Sequence, residues 1–565
     1  PAADTAAPSS SPASSEGTAS DKEARSDFRG PDSNFDAAQR DTLKDQSPKT
    51  FVLENKLLYL KVSSQGGQIV KARLKNYQTY DSLPLYLIDS SASLNLNLPG
   101  QEALFSADVN FNVQQVDDRR LRLEKAIPGG GTLEYEYFLP EDSYQLQWNL
   151  STRNATLSSM QSPRLTWELR ASRHEKNLDM ELQQTGIYYR YHEDDDVDDL
   201  TGSGKEEEKL EEPIRWISFK QQFFASILQS QQGAFTDVDL LLTPAADEGS
   251  TRYMAAHMAL PAQGNQLDLP MSLYLGPNKY ERLIAYEQEY EQLIPLGWGI
   301  FGWINRGVVI NVFNWLTQYG FNYGIIILII ALLFKMVLFP LTYQSYRSMA
   351  KMRVLKPEID ELNEKYKDKE PMQKQQAQME LYRKAGVNPL GGCLPMLLQL
   401  PILIALFRFF PASIELRQES FLWASDLSTY DSIYSLPFEI PFYGDHVSLF
   451  TLLMTVSTLI YTYMNQQLTG SAQNQQLPQM KYIIYFMPLI FLGVFNNYAA
   501  GLSYYYFIAN VITFGQQFAI RAFLDDSKIR ERIQEKKKKP KKENRFMRRM
   551  RELQEEQNRQ TRRRK

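Results

Sequence analysis

Cysteine is almost missing from this chain: Cys393 is the single thiol in 565 residues. That excludes an intrachain disulfide framework and leaves a cysteine-held metal cluster without ligands. The histidines of the first half, His174, His192 and His257, lie far apart with no metal-ligand spacing, so they read as structural or surface residues. A phosphate loop is missing as well. In Gly202-Ser203-Gly204-Lys205 the first glycine stands too close to the lysine, and Glu206 occupies the place where Ser or Thr would hold magnesium. The acidic runs Glu193 to Asp199 and Glu206 to Glu212 lack the glycine-interrupted pattern of a calcium loop and read as solvated loops. No catalytic residue, cofactor site or metal site stands out.

Long apolar runs are also absent before residue 320. Since 43% of residues are hydrophobic and the mean hydropathy is still negative, the apolar side chains must be concentrated elsewhere. Five runs hold them: 322–342, 390–410, 448–464, 482–498 and 501–520. Each approaches the roughly 20 residues that a helix needs to cross about 30 Å of hydrocarbon. The expectation is a multi-domain membrane protein with five transmembrane helices behind a large soluble domain.

None of the five runs contains an acidic residue, yet the first contains Lys335. An ammonium at the centre of a membrane helix costs roughly 2.5 to 3.5 kcal/mol on insertion scales, so an unpaired one marks a functional position. Hydrophilic side chains recur in the other runs: Gln399 in the second, Thr451, Thr455 and Thr458 in the third, and Asn510, Thr513, Gln516 and Gln517 in the last. Hydrogen bonds between helices account for each singly, the threonines above all. Taken with Lys335 they point to a wet cavity, which Pro395, Pro401 and Pro488 would hold open by bending the helices around it.

Loop charges orient the runs. The segment after the first carries Arg347, Lys351, Arg353, Lys356 and six further basic residues up to Lys384, and is expected in the cytoplasm. The loop from Pro411 to Val447 is acidic apart from Arg417 and is expected outside, together with the first half of the chain. Residues 525–565, with KKKKPKK and a terminal RRRK, form a basic cytoplasmic tail suited to ribosomal RNA or anionic lipid. The chain opens on Pro1, and residues 1–50, rich in Pro, Ala and Ser at their start, read as a flexible linker. Because an exported domain needs an export signal, a signal or anchor helix is expected upstream of it.

Between residues 51 and 293 apolar side chains alternate with polar ones: Leu58, Leu60 and Val62; Val70, Ala72 and Leu74; Leu133, Tyr135 and Tyr137; Tyr144, Leu146, Trp148 and Leu150. With turns at Gly66-Gly67 and Pro128 to Gly131, this predicts antiparallel strands in a β-sandwich. Residues 294–320 predict an amphipathic helix in the outer interface, with Val309, Val312, Phe313 and Leu316 on one face and Asn311, Asn314 and Gln318 opposite. Residues 346–388 predict a charged, mobile helical hairpin, its first helix opening at Pro357-Glu358 and its second ending at Gly386.

MAKMRVLKPEI (Met349 to Ile359), VNPLGGCLPMLLQLPILIALF (Val387 to Phe407), FPLT (Phe339 to Thr342) and GLSYYYFIANVITFGQQ (Gly501 to Gln517) resemble the YidC branch of the YidC/Oxa/Alb membrane protein insertases. Residues Glu54 to Tyr80 carry a looser likeness to the same branch. The resemblance implies the Gram-negative type: six spans, of which the first is not in this sequence, and a periplasmic all-β super-sandwich ahead of a five-helix α-helical bundle with a cytoplasmic helical hairpin. The chain would then be an insertase and chaperone of the bacterial inner membrane, working without catalysis, nucleotide or cofactor. Implied partners are nascent membrane proteins, the Sec translocon with its accessory subunits, the ribosome through the basic tail, and anionic lipids. The implied client groove takes in Lys335, Gln399, Thr455, Tyr505, Tyr506 and Asn510, and the hairpin site Arg353, Pro357 and Glu358. Most relatives place arginine where Lys335 stands, so the charge is kept but the planar five-donor fork is not. Two other readings compete. A secondary transporter or channel could place Lys335 in a solute path, although no internal repeat is visible. A membrane-anchored carbohydrate-active enzyme would need a carboxylate pair, and none stands out.

Overall fold

Alternating side chains build the first half of the molecule. The strand Gln145–Arg153 buries Leu146, Trp148 and Leu150 and pairs antiparallel with Thr132–Phe138 on one side and Asp268–Pro277 on the other. In the computed structural model, which describes residues 47–98, 104–127, 130–154, 162–245, 247, 249–261, 266–367, 371–387, 394–469 and 478–538, the chain divides into two units. One comprises Pro1–Pro295 with Pro411–Gln418, the other Leu296–Phe410 with Glu419–Lys565.

The described strands of the first unit form sheets of four, nine and six. In the six-stranded sheet, Arg164–Ser172 buries Leu165, Trp167, Leu169 and Ala171. Trp167 stacks on Phe219 of the nine-stranded sheet with ring centroids 3.9 Å apart, so the two inner faces pack as a sandwich. Tyr77 of the four-stranded sheet meets Phe224 edge-on at 5.2 Å. Two short helices, α1 (Leu178–Gln184) and α2 (Tyr280–Ile284), complete the unit.

The sandwich departs from the sequence reading at three places. Ile69 rather than Val70 points inward, because a bulge shifts the pairing between Lys61 and Val62. The acidic runs are not wholly loops: Val197–Leu200 and Glu206–Leu210 are edge strands of the nine- and six-stranded sheets. Dense negative charge on an edge strand discourages pairing with another chain. Arg417, expected only as a loop charge, lies in the segment that packs with the sandwich, and its Nε is 2.7 Å from Oε1 of Glu175. Both side chains are buried. Close by, the Glu181 carboxyl accepts the backbone N–H groups of His174 (2.9 Å) and Glu175 (3.1 Å), and burial beside Glu175 pushes its pKa up to about 8. His174 lies in the core: its Nε2 is 3.0 Å from the Tyr86 carbonyl, and burial near Arg417 lowers its pKa to about 4.

The second unit is helical, and continuous apolar sequence is what makes it so. Its elements are α3 (Gly299–Ile304), α4 (Ile310–Thr317), α5 (Tyr323–Val354), α6 (Lys356–Lys365), α7 (Pro371–Ala385), α8 (Leu394–Phe409), α9 (Leu449–Thr469), α10 (Pro478–Asn496), α11 (Ala500–Phe523) and α12 (Asp526–Lys538). A two-stranded hairpin, Tyr434–Ile440 with Gly444–Val447, precedes α9. Among the described residues, α5 alone is long and apolar enough by itself to cross a bilayer. α11 meets that measure only together with the helix after it, across a bend of 69°.

Several expected boundaries move. α5 runs on to Val354 instead of stopping at Thr342, which takes residues 346–354 out of the hairpin. Within 294–320 the helical run is Gly299–Thr317, and it widens to a π turn at Asn305–Val309 between α3 and α4. The buried Asn305 begins the π turn, and its Nδ2 donates to the carbonyls of Leu296 and Ala405, each at 2.7 Å. Residues 526–538 of the expected tail are helical. Residues 1–46 of the linker expected over 1–50, the NPLGGC motif with Cys393, and the tail beyond Lys538 lie outside the described residues.

Candidate functional site

The site begins with the start of α5. Asn322 caps the helix by accepting the Gly324 N–H at 2.9 Å. Gly324 has to be glycine, because a Cβ there would lie 2.1 Å from the Phe421 ring. These contacts set the rotation of α5. Lys335, three turns on, then faces α8, and its Nζ donates to Oε1 of Gln399 at 3.1 Å. The lysine is 9% exposed. Among the described residues it forms no ion pair, and its partner is a neutral amide.

α11 closes the same level from the other side. Gln516 Nε2 donates to the Lys335 carbonyl at 3.2 Å, and Gln517 Nε2 donates to the Tyr346 hydroxyl at 2.5 Å and to Asn465 Oδ1 at 3.2 Å. The Oε1 atoms of Gln516 and Gln517 are buried without a hydrogen-bond partner among the described residues. Buried acceptors in native proteins are nearly always satisfied, and an ordered water is the usual partner when protein donors are lacking. The arrangement places the Lys335 cation, the Gln399 amide and the open acceptor of Gln516 around α5, while Gln517 carries a second open acceptor further along α5 beside Tyr346.

The remaining residues expected in the groove divide. Thr455 Oγ1 donates to the Thr451 carbonyl of its own helix at 2.8 Å. Asn510 Nδ2 donates to Ser457 Oγ and Thr458 Oγ1, both at 3.0 Å, which ties α11 to α9. Tyr505 is 2% exposed and tilts against Phe410. The structure thus engages Thr455, Asn510 and Tyr505 in contacts within the helical unit; Tyr506 is half-buried on the same helix as Asn510 and Tyr505.

Arg353 lies in the last turn of α5, where a cation suits the helix dipole. Pro357 opens α6. Glu358 pairs with Lys537 of α12, a contact that the sequence did not reveal. Ile359, Tyr382, Ile529 and Ile533 share one apolar cluster with Tyr346, Met349 and Ile520. The stripe on α6 and α7 is too narrow to anchor in lipid, and α12 and the end of α5 cover it. Among the described residues no group of His, Cys, Asp and Glu could hold a metal ion.

Two family descriptions match this chain: "YidC periplasmic domain" over residues 50–310 and "60Kd inner membrane protein" over residues 315–528. The "Membrane protein insertase YidC" of Parabacteroides distasonis is 39% identical over 507 residues, 86% of this chain and 80% of that protein. The protein of the same name from Porphyromonas gingivalis is 38% identical over 513 residues, 86% of this chain and 81% of that one. A solved structure, "Active YidC insertase crystal structure with the first transmembrane domain resolved", is 19% identical and covers 83% of this chain and 92% of its own. Its TM-score of 0.33 is too low to support an inference.

Proposed function

The chain belongs to the family of YidC membrane protein insertases, and from that premise we propose that Lys335 is the cation of a client-binding groove and that α5, α8, α9, α10 and α11 cross the inner membrane around it. The protein is a membrane protein insertase and not an enzyme, and the transporter reading has no support among its relatives. The β-sandwich and the loop before α9 would lie outside. The α6–α7 hairpin, α12 and the basic tail would lie in the cytoplasm, as their Lys and Arg content favours.

One observation carries the reading: the Lys335 ammonium is buried against a neutral amide instead of a carboxylate. Such a charge costs several kcal/mol without a counter-charge. A client's acidic flank would supply one transiently, while the apolar segment of the client passes into lipid. The open acceptor on Gln516 supports water at this level and that on Gln517 further along α5, which shortens the hydrophobic path for a polar flank. The groove proper is then Lys335, Gln399 and Tyr506, with the Thr455, Asn510 and Tyr505 contacts holding its helices. The Sec translocon, the ribosome and anionic lipids are proposed as partners, the last two through the basic end of the chain.

The test is site-specific photocrosslinking to a ribosome-stalled membrane protein. Crosslinkers at positions 399 and 506 are expected to capture the nascent chain, and one at 455, inside the helix packing, is not. Capture from 399 and 506 no stronger than from 455 would overturn the groove.

A further inference from the structure

The strand Tyr434–Ile440 and the turn that follows it carry Tyr434, Leu436, Phe438, Ile440 and Phe442 at alternate positions, with Ser435, Pro437, Glu439 and Pro441 between them. Side chains two apart along a strand share a face, so Tyr434, Leu436, Phe438 and Ile440 set an apolar row along this strand, whose pairing with Gly444–Val447 is irregular between Ser435 and Ile440, and Phe442 follows in the turn. It has no covering layer: Tyr434 is 62% exposed, Phe438 61% and Phe442 98%. An isolated two-stranded hairpin is marginal in water, and a contiguous exposed apolar face marks an interaction site. Phe442 also has a φ of 66°, in the left-handed region where glycine or asparagine is usual. A phenylalanine there incurs strain while its ring touches almost nothing in the chain. Packing within the protein does not explain the residue.

The position of the hairpin names the occupant. Asn496, the last residue of α10, donates through Nδ2 to the carbonyls of Tyr443 and His446, each at 2.8 Å. The turn lies against the final helical turn so closely that a Cβ on Gly493 would be 2.7 Å from the Phe442 carbonyl oxygen. The turn therefore sits beside α10 next to Gly493, on a helix whose Phe491 and Val494 are also exposed. Residues 433–447 contain no Lys or Arg and two acids, Glu439 and Asp445. Attraction to anionic headgroups cannot drive binding, whereas partition of tyrosine and phenylalanine rings into the interface can.

The geometry points to the Tyr434–Val447 hairpin as a bilayer-interface anchor, its apolar face and Phe442 seated at the headgroup–acyl boundary of the leaflet in which α10 ends. This rests on the reading that the apolar helices cross the membrane. The occupant is phospholipid, and zwitterionic lipid suffices.

The test uses the full chain with Cys393→Ser and single cysteines at Phe442→Cys, Glu439→Cys and Val337→Cys, each carrying an environment-sensitive fluorophore in phosphatidylcholine vesicles. All three side chains are exposed, so labelling leaves the fold intact. The label at 442 is expected to be quenched by lipid spin-labelled near the headgroup and shielded from iodide. The label at 439 should show the reverse, and that at 337 should be quenched by lipid spin-labelled deep in the chain. If 337 is lipid-quenched but 442 is quenched by iodide, the anchor is overturned and the membrane helices stand. If 442 is shielded from both quenchers, a protein covers the face and the lipid assignment is overturned. If 337 escapes deep quenching, the spanning reading fails and takes the anchor with it.

Discussion

Lys335 Nζ and Gln399 Oε1 are 3.1 Å apart, a cation and an amide facing each other between α5 and α8. A carboxylate in place of the amide would give the ammonium a permanent counter-charge. At about 4 Å and an effective dielectric of ~20 such a pair is worth about 4 kcal/mol. Gln399→Glu is therefore expected to lower insertion of acidic-flanked clients by about tenfold or more, with no loss of thermal stability. Insertion rates and unfolding midpoints measured on the same preparation check both parts.

Arg417 and Glu175 form a buried pair in the sandwich unit. Breaking a buried pair leaves one uncompensated charge, at a cost of about 3–5 kcal/mol, whereas replacing both partners with apolar groups is often neutral. Arg417→Met and Glu175→Leu are each expected to lower the denaturation midpoint markedly, and the double variant should recover most of the loss. Denaturant unfolding followed by intrinsic fluorescence makes the comparison.

Burial lowers the Lys220 pKa from 10.5 to about 7, and its Nζ donates to the Gln184 carbonyl at 2.8 Å. Between these two values the unfolded chain holds a proton that the folded chain has released. The contribution of Lys220 to stability therefore rises with pH from about 7 toward 10.5, by up to about 1.4 kcal/mol per pH unit. Lys220→Met removes that rise. Relative to the parent, the variant should be most stable at or below pH 7 and lose its advantage toward pH 10, as unfolding curves across this range will show.

The sandwich was legible where a strand has one face on the core. Leu146, Trp148 and Leu150 alternate because solvent or a neighbouring layer lies on the other side. Ile69 was not legible, since a bulge arises from pairing with a neighbouring strand and leaves no mark in the alternation itself. Glu206–Leu210 looked like loop because charge signals solvent, and an edge strand satisfies charge and backbone together. α5 outlasts its apolar run because Tyr346, Met349 and Met352 find a second core. At the site, Lys335 and Gln399 were individually visible, but their contact depends on the packing of two helices 64 residues apart in sequence. The partners of Thr455 and Asn510 were not legible, because polarity within a membrane run does not distinguish a wet wall from a helix-to-helix hydrogen bond.

The most direct measurement is insertion of clients with acidic flanks into liposomes reconstituted with the wild type, Lys335→Ala or Lys335→Arg. The account predicts that alanine abolishes insertion and that arginine, which keeps the charge, retains it. Equal activity of all three proteins would contradict the role given to this cation.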